Sequence, residues 1–471
     1  MKLQNLFLPV LLLAFSCTQQ NETEIPMTTD VVDMQGEDLL IDRISSSVSS
    51  NDAKKVAMRF LKGNSQTRAA MSVDEVLTLN DDETQTPLLY IINFANDNGY
   101  VLVSANKNTM PILAYSDKGH FKLTDENASS LYVDEYKVLI KDHQACTTDS
   151  LRRKYALQWA AFEKTENNVT RGLSTSESAL VENEVRYRES MGYEHLGNLS
   201  AARYFLPERD YQALVAEMKD CCDPQYDYMD FVQVFVKSYD YEIIGELLKT
   251  KWHQLDPFNV DAPNGLAGCV PIAIAQIAYY HKYPTKYNWN NIYVNPVGNG
   301  DFNYFIKDIR DKCGVKYNGS GTASSTEKAK NAILSLGYGC SVSSDVYPIL
   351  NSQLHKKNPV CMDGYDATKK NGHAWVCDGY KNVKYEALTV FIPSPSDPRF
   401  KRMEKSKYGF VAYETKLYPN STLEGHAYGE FFHMNMGWSG SDNGWYRINT
   451  AVTSSSIPIY KYKNVVLTME K

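Results

Sequence analysis

The sequence has no excess of positive charge, and this absence argues against a nucleic-acid partner. It carries 49 Lys and Arg against 56 Asp and Glu in 471 residues, a formal net charge of -7. Proteins that bind a phosphate backbone usually concentrate basic residues. The 43% hydrophobic and 22% charged content is typical of a soluble globular protein. The length predicts two or three domains.

No apolar run is long enough to cross a bilayer as a mature helix. A run from Leu6 to Phe15 follows a basic N-terminus and ends just before Cys17, where a polar tail begins. This pattern predicts a signal peptide over residues 1–17. It resembles a bacterial lipoprotein processing site, which would make Cys17 the acylated first residue. We expect export to the cell envelope or surface, with membrane contact only through that lipid; cleavage and release without lipid is the alternative.

The nine cysteines show no repeated C-x-x-C spacing that would indicate a zinc site. Without Cys17 and Cys269 an odd number of cysteines remains, so these cannot all pair with one another. We therefore expect mostly free thiols, with one disulfide as the alternative, and neither a metal nor a cofactor. The cysteines lie at positions 17, 146, 221, 222, 269, 313, 340, 361 and 377.

Cys269 closes a glycine-rich turn over residues 264–268 and opens an apolar run that ends near His281. The spacing of the apolar residues predicts a helix. The free N–H groups of a helix start favour the thiolate, so we expect a lowered thiol pKa and a reactive nucleophile. A small core cysteine is the alternative.

Three further residues supply what a thiol nucleophile needs. His373 lies in an alternating stretch between turn glycines, which predicts a short buried strand. Asn435 lies in a second strand that runs into a glycine-rich turn, and Gln254 precedes the cysteine by a short polar loop. An imidazole takes the proton, a polar group orients it, and an amide can stabilise an oxyanion.

These segments resemble the streptopain-like cysteine peptidases, papain-fold enzymes that bacteria secrete with an inhibitory N-terminal pro-domain. The resemblance implies that Cys269 is the nucleophile and His373 the general base and acid. It also implies that Gln254 donates to the oxyanion and that Asn435 orients His373. The blocks that carry it are 248–254 with 257–259, 268–270 with 275–277 and 280–281, 372–374 with 378–380, and 433–435 with 437–438.

The residue after Asn435 departs from the family pattern, because Met436 stands where Trp is usual. The second aromatic residue of that block is present as Trp438. Both are expected to support the site. We expect the thioether of Met436 to cover the imidazole, although it cannot stack as a flat ring does.

The chain before the catalytic blocks also resembles the family's pro-domain, and we assign residues 18–170 to it. A helix is predicted over 50–62, a hairpin over 88–94 and 100–104, and a third strand over 111–115. Helical patterns follow at 131–145 and 151–163.

Residues 171–240 are assigned as a linker and the entry to the catalytic domain, which spans 241–471. The stretch from Thr165 to Ser200 is polar and weakly periodic, so an activating cut is expected within 165–205. Helices are predicted at 207–219 and 239–250. In the catalytic half, a helix is predicted after Ser325 and a strand at 359–362.

The segment 388–428 separates the His and Asn blocks by more than the family pattern requires. It contains a basic cluster and a second candidate, His426, which lacks the residues that follow His373. We expect a solvated surface loop there, with shaping of substrate entry as the alternative.

The sequence therefore predicts an α+β protein, with a papain-like domain preceded by a small antiparallel pro-domain. Its expected function is that of an exported cysteine endopeptidase made as a zymogen, with protein substrates and its own pro-domain as inhibitor. Two alternatives stay open: a surface lipoprotein that binds peptide or glycan, and another thiol acyl-transfer enzyme.

Overall fold

The computed structural model describes the chain over residues 46–64, 72–123, 128–145, 149–162, 175–221, 228–319, 321–365, 372–392, 413–418, 429–448 and 465–470. No helix in these stretches is long and apolar enough to cross a membrane. The signal sequence with Cys17, residue His426 and most of the segment 388–428 lie outside them.

The first third of the chain forms an antiparallel sheet with helices. Its elements are α1 (Ser50–Asn64), β1 (Val73–Asn80), β2 (Pro87–Phe94), β3 (Tyr100–Ser104), β4 (Ile112–Ser116), α2 (Ala128–Ala145) and α3 (Asp149–Ala160). Ser49 caps α1, because its Oγ accepts from the Asp52 N–H at 3.2 Å. The predicted helices and strands of this region are confirmed to within a few residues.

The predicted hairpin is formed by β2 and β3, with Leu89 opposite Ser104. β4 pairs with β3 on the far side, and β1 adds to β2. The turn depends on Gly99, whose φ is +97°. A Cβ there would lie 2.0 Å from the Ser116 carbonyl oxygen, so no other residue fits this turn.

The region assigned as a linker is folded where the structure describes it. It contains α4 (Thr175–Ser190), β5 (Glu194–Asn198), α5 (Glu208–Cys221), α6 (Tyr228–Phe231) and β6 (Val232–Ile244). The helix predicted at 207–219 is confirmed as α5. The helix predicted at 239–250 is wrong, because β6 continues to Ile244 and residues 245–250 have no regular structure. β6 pairs with a strand more than a hundred residues later.

The polar composition of α4 suggested an exposed segment, but part of this helix is buried. Arg188 Nε lies 2.6 Å from Glu184 Oε1, and both side chains are buried beside Val181. A paired charge can be buried at an acceptable cost, whereas an unpaired one cannot. Low hydrophobicity therefore did not mean an exposed connection.

The catalytic region contains helices and a second set of strands. The helices are α7 (Cys269–His281), α8 (Gly300–Lys312), α9 (Thr326–Ser335) and α10 (Val346–His355). The strands are β7 (Lys316–Asn318), β8 (Gly321–Ala323), β9 (Val342–Ser343), β10 (Val360–Tyr365), β11 (Gly372–Phe391), β12 (Tyr413–Tyr418), β13 (Gly429–Asn435), β14 (Gly444–Tyr446) and β15 (Val465–Leu467). The helices predicted after Cys269 and Ser325 and the strand near 360 are confirmed.

One sheet contains strands from both parts of the chain. The strand order in this sheet is β1-β2-β3-β4-β14-β13-β11-β10-β15-β9. In addition, β6 and β12 pair with β11, and β5 pairs with β6. The junction is β4 against β14, where Tyr115 lies opposite Trp445 and Ala114 opposite Tyr446. The region assigned to the pro-domain thus covers an edge of the sheet formed by the later strands.

Helices cover both faces of this sheet, which confirms the α+β class. Ala374 and Val376 of β11 belong to the core that α7, α8 and α9 form. Their neighbours Trp375 and Cys377 belong to the core on the other face, with α2 and α10. Because side chains alternate between the two faces of the sheet, Ala374 and Val376 at the start of β11 face the helix α7, which begins at Cys269.

Candidate active site

Cys269 is the first residue of α7, as predicted. Gly268 precedes it with φ +97°, a conformation that turns the chain sharply into the helix. Burial raises the pKa of the Cys269 thiol. The backbone N–H groups of Ala374 and Val270 act in the opposite direction but do not outweigh it. The expected lowering of the pKa by the helix start is therefore wrong for this form of the protein, since desolvation dominates.

His373 lies near the start of β11 and is buried. Its Nε2 lies 2.9 Å from the Met436 carbonyl oxygen, so Nε2 carries the proton and donates. Burial lowers the pKa of His373 to about 4, although the Met436 carbonyl favours the charged form. The imidazole is neutral near pH 7 and its Nδ1 is the unprotonated nitrogen.

Two indoles flank the imidazole of His373. The Trp438 ring is stacked at 5.8 Å between centroids and 14° between planes, and the Trp375 ring is nearly parallel at 6.3 Å. Trp438 therefore occupies the covering position that its motif predicted. The Met436 side chain is fully buried in the core with α2 and α10, to which Trp375 also belongs.

Asn435 makes its hydrogen bonds away from His373. Its Nδ2 donates to the Thr250 carbonyl oxygen at 2.8 Å, and its Oδ1 accepts from Gln276 Nε2 at 3.3 Å. The expected direct bond from Asn435 to His373 is replaced by the Met436 backbone carbonyl. A side-chain motif cannot show this, because any residue at position 436 supplies the same carbonyl.

Asn435 instead belongs to a buried network that joins β13 to α7. Gln276 of α7 accepts from Thr250 Oγ1 at 2.8 Å and from the Trp252 N–H at 3.3 Å. Sequence patterns identified Gln276 only as part of a family block. Its position on the helix that begins at Cys269 makes it the link between the two halves of the site.

Gln254 is buried on the loop before α7. Its carbonyl accepts from the Ala267 N–H at 2.8 Å, which fixes the loop two residues before the thiol. Its side-chain amide has no hydrogen-bond partner among the described residues. That amide is therefore available to a ligand next to the Cys269 backbone.

Asp363 is a residue of this site that sequence reasoning missed. It lies on β10 directly opposite Ala374, and its Oδ2 accepts from Thr326 Oγ1 at 2.5 Å. Its negative charge adds to the raised pKa of Cys269. An aspartate directly after the strand predicted at 359–362 was the available signal.

No hydrogen bond joins the Cys269 sulfur to His373 in the described structure. The raised pKa of Cys269 and the lowered pKa of His373 both favour the neutral forms of the pair. Among the described residues, the cysteines are free thiols, as predicted; these are Cys269, Cys313, Cys340, Cys361 and Cys377.

The pro-domain contacts the sheet next to this site. Tyr132 of α2 packs edge-on against Trp375 at 5.9 Å, and Tyr136 Oη donates to the carbonyls of Leu113 and Arg447 at 3.0 and 2.9 Å. Lys381 Nζ lies 2.9 Å from Tyr115 Oη. The two parts are thus joined by polar as well as apolar contacts.

Comparison with known families agrees with this architecture. Residues 45–139 match the Spi protease inhibitor family, and residues 252–342 match the peptidase C10 family. The first match lies inside the assigned pro-domain, and the second contains Gln254 and Cys269. Together they define a cysteine peptidase that carries its own inhibitory pro-domain. Residues 252–342 are thus similar to the peptidase C10, or streptopain, family, and residues 45–139 to the Spi protease inhibitors.

One similar solved structure is a fragment of prointerpain A from Prevotella intermedia. It shares 15% sequence identity over 84% of this chain and 98% of its own, with a TM-score of 0.41. No curated protein matches the chain in sequence.

Proposed function

We propose that this chain is an exported cysteine endopeptidase made as a zymogen, with Cys269 as the nucleophile and His373 as its base. The observation that carries the proposal is the position of Cys269 at the start of α7, with the Ala374 N–H directed at its sulfur and His373 one residue away. Gln254 lies on the adjacent loop with its amide unpaired.

The tautomer of His373 assigns its role. Nε2 donates to Met436, so Nδ1 is the atom that accepts the proton of the thiol. The sulfur then attacks the peptide carbonyl, and the oxyanion accepts from Gln254 Nε2 and the Cys269 N–H. His373 returns the proton to the amine leaving group. Water, deprotonated by the same Nδ1, hydrolyses the thioester.

The closed chain is inactive in this proposal because both reacting groups are neutral. Burial raises the pKa of Cys269 and lowers the pKa of His373. Removal of the pro-domain would admit water and allow Nδ1 to reach the sulfur. Both pKa values would then move toward the thiolate–imidazolium pair.

Activation would follow a cut within 165–205. The described residues from Thr175 onward form α4 and β5, so cleavage there needs local unfolding. This favours a cut before Thr175. The test is to incubate full-length Cys269→Ala with a trace of matured enzyme and to map the new N-terminus by mass spectrometry. Full activity in an active chain that stays uncut would contradict the zymogen proposal.

Export rests on the sequence of residues 1–17, and the lipid on Cys17. We propose a lipoprotein of the bacterial cell envelope or surface that is released by processing. Metabolic labelling with a clickable fatty acid should mark the parent chain but not Cys17→Ser. Equal labelling of both chains would exclude lipidation at Cys17.

The peptidase activity is tested on an unfolded protein substrate. The parent should release new amine termini, and Cys269→Ala should not, while both keep the same circular dichroism spectrum. Cys340→Ala is the matched control, because Cys340 is also a partly exposed free thiol but lies outside α7, between α9 and β9. Equal turnover by Cys269→Ala and the parent would contradict the assignment.

A further inference from the structure

We propose that Asn443 is a positioning residue for His373, acting through the backbone of Met436. This inference rests on the proposed function, in which His373 is the base. It adds an amide in the loop after Asn435 to the orienting task that the sequence assigned to Asn435 alone.

The argument begins with the two polar groups of Met436. Its N–H donates to Asn443 Oδ1 at 2.8 Å, and its carbonyl accepts from His373 Nε2 at 2.9 Å. The N–H and the carbonyl of Met436 belong to the two planar peptide groups on either side of its Cα, and these planes turn relative to each other only by rotation about φ and ψ of Met436. Asn443 thus holds the first of these planes, and the carbonyl that accepts from the imidazole lies in the second.

The loop between β13 and β14 needs such a tie because it has little regular pairing. Gly437, Ser439, Gly440 and Asp442 all have positive φ, between 56° and 87°. Its internal backbone bonds run from the Ser441 N–H to Trp438 at 2.9 Å and from the Asn443 N–H to Gly440 at 3.3 Å. The side chain of Asn443 closes this loop onto its own first residue.

The same loop carries Trp438, which stacks on the imidazole. One side-chain amide therefore fixes the loop that supplies both the hydrogen-bond acceptor and the covering ring of His373. On the other side of Met436, the Gly437 N–H donates to Asn435 Oδ1 at 3.3 Å. The Gly437 N–H shares a peptide plane with the Met436 carbonyl, so Asn435 holds that plane and Asn443 holds the plane before it. With both planes held, the Met436 carbonyl is fixed in its direction toward His373.

The atom that matters in Asn443 is an acceptor oxygen. Its Nδ2 has no hydrogen-bond partner among the described residues, so replacing the NH₂ group removes no bond. Asn443→Asp keeps an oxygen for the Met436 N–H, whereas Asn443→Ala removes it. Ser441→Ala is the matched control, because Ser441 lies in the same loop and uses only its backbone there.

The experiment uses the full chain of the parent and the three variants. Each is processed by tagged matured parent, which is then removed on resin, and rates are expressed per cut molecule. Two readouts are taken: kcat and KM on a peptide substrate, and the pH profile of iodoacetamide alkylation at Cys269. Alkylation reports the Cys–His pair without requiring peptide hydrolysis.

We expect Asn443→Ala to lower kcat about tenfold with KM within about twofold, the effect of one lost hydrogen bond to the positioning group. The rate of alkylation at Cys269 in this variant should fall at low pH, where the parent still reacts because the imidazolium stabilises the thiolate. Asn443→Asp should restore both to within about threefold, and Ser441→Ala should match the parent.

Unchanged kcat and an unchanged alkylation profile in Asn443→Ala would overturn the inference. Equal damage in Asn443→Ala and Asn443→Asp would overturn it as well, because a lost fold and not a lost acceptor would then be responsible. The parent chain could alkylate at Cys269 with an imidazole-dependent pH profile and yet hydrolyse no peptide. That result would refute the peptidase proposal, and the alkylation comparison alone would then decide the role of Asn443.

Discussion

Tyr100→Phe should loosen the closed form of the chain without disturbing the fold of the pro-domain. The buried hydroxyl of Tyr100 reaches across the junction of β4 and β14. It lies 3.1 Å from the Asp442 carbonyl oxygen, 3.2 Å from that of Asn443 and 3.0 Å from Tyr446 Oη. Phe keeps the ring in place and removes only these contacts.

The size of the effect depends on which hydrogen bonds remain after the substitution. Tyr446 Oη still donates to the Asp442 carbonyl at 2.7 Å, so that carbonyl is not stranded by the change. The loss is then that of an ordinary net hydrogen bond, about 1 kcal/mol. The equilibrium between the closed and the open chain changes about fivefold for a loss of about 1 kcal/mol, so the open fraction should rise about fivefold.

The assay is the rate of iodoacetamide alkylation at Cys269 in the uncut full-length chain, followed by peptide mass spectrometry. This rate follows the open population when closing is faster than alkylation. Tyr90→Phe is the matched control, since the buried Tyr90 hydroxyl donates to the Val48 carbonyl at 2.8 Å inside the pro-domain. If the two variants alkylate at the same rate, the junction is not what keeps the site closed.

Four further predictions concern the site itself. His373→Ala should abolish peptide hydrolysis, whereas His426→Ala should be mild; a reversed ranking in turnover would mean that the wrong histidine was assigned. Gln254→Ala should lower kcat by about 10²–10³ with little change in KM, as for a lost oxyanion donor, and an unchanged kcat would remove Gln254 from the mechanism. Asn435→Ala should cost about 2 kcal/mol of stability, because it breaks the bonds to Thr250 and Gln276; thermal unfolding measures this, and an unchanged Tm would contradict the network. His373 should destabilise the closed chain as pH falls from its unperturbed pKa of 6.5 toward its folded pKa of about 4, since only the unfolded state then takes up the proton; His373→Gln should flatten this part of a urea-unfolding profile.

Much of the fold could be predicted because its signals are local. The Asn-Asp-Asn-Gly turn of the hairpin, the cap at Ser325 and the periodic run after Cys269 each lie within a few residues of the structure they specify. Turn and capping residues act on the adjacent backbone, so they can be read without knowledge of the rest of the chain.

The region 171–240 could not be predicted in the same way. Its polar residues suggested a linker, yet Glu184 and Arg188 pair inside the protein and β6 pairs along β11 from Ile244 to Val232. Both facts depend on partners that composition does not identify. A buried ion pair and an exposed polar stretch have the same composition.

The order Gln, Cys, His and Asn, and the turns and strands that carry these residues, were determined by the sequence itself. The protonation of the site was not, because the pKa values of Cys269 and His373 depend on how much water the assembled protein excludes. The partner of His373 was also decided only by the tertiary structure. It is a backbone carbonyl at Met436, and a backbone atom is the same whichever residue stands there.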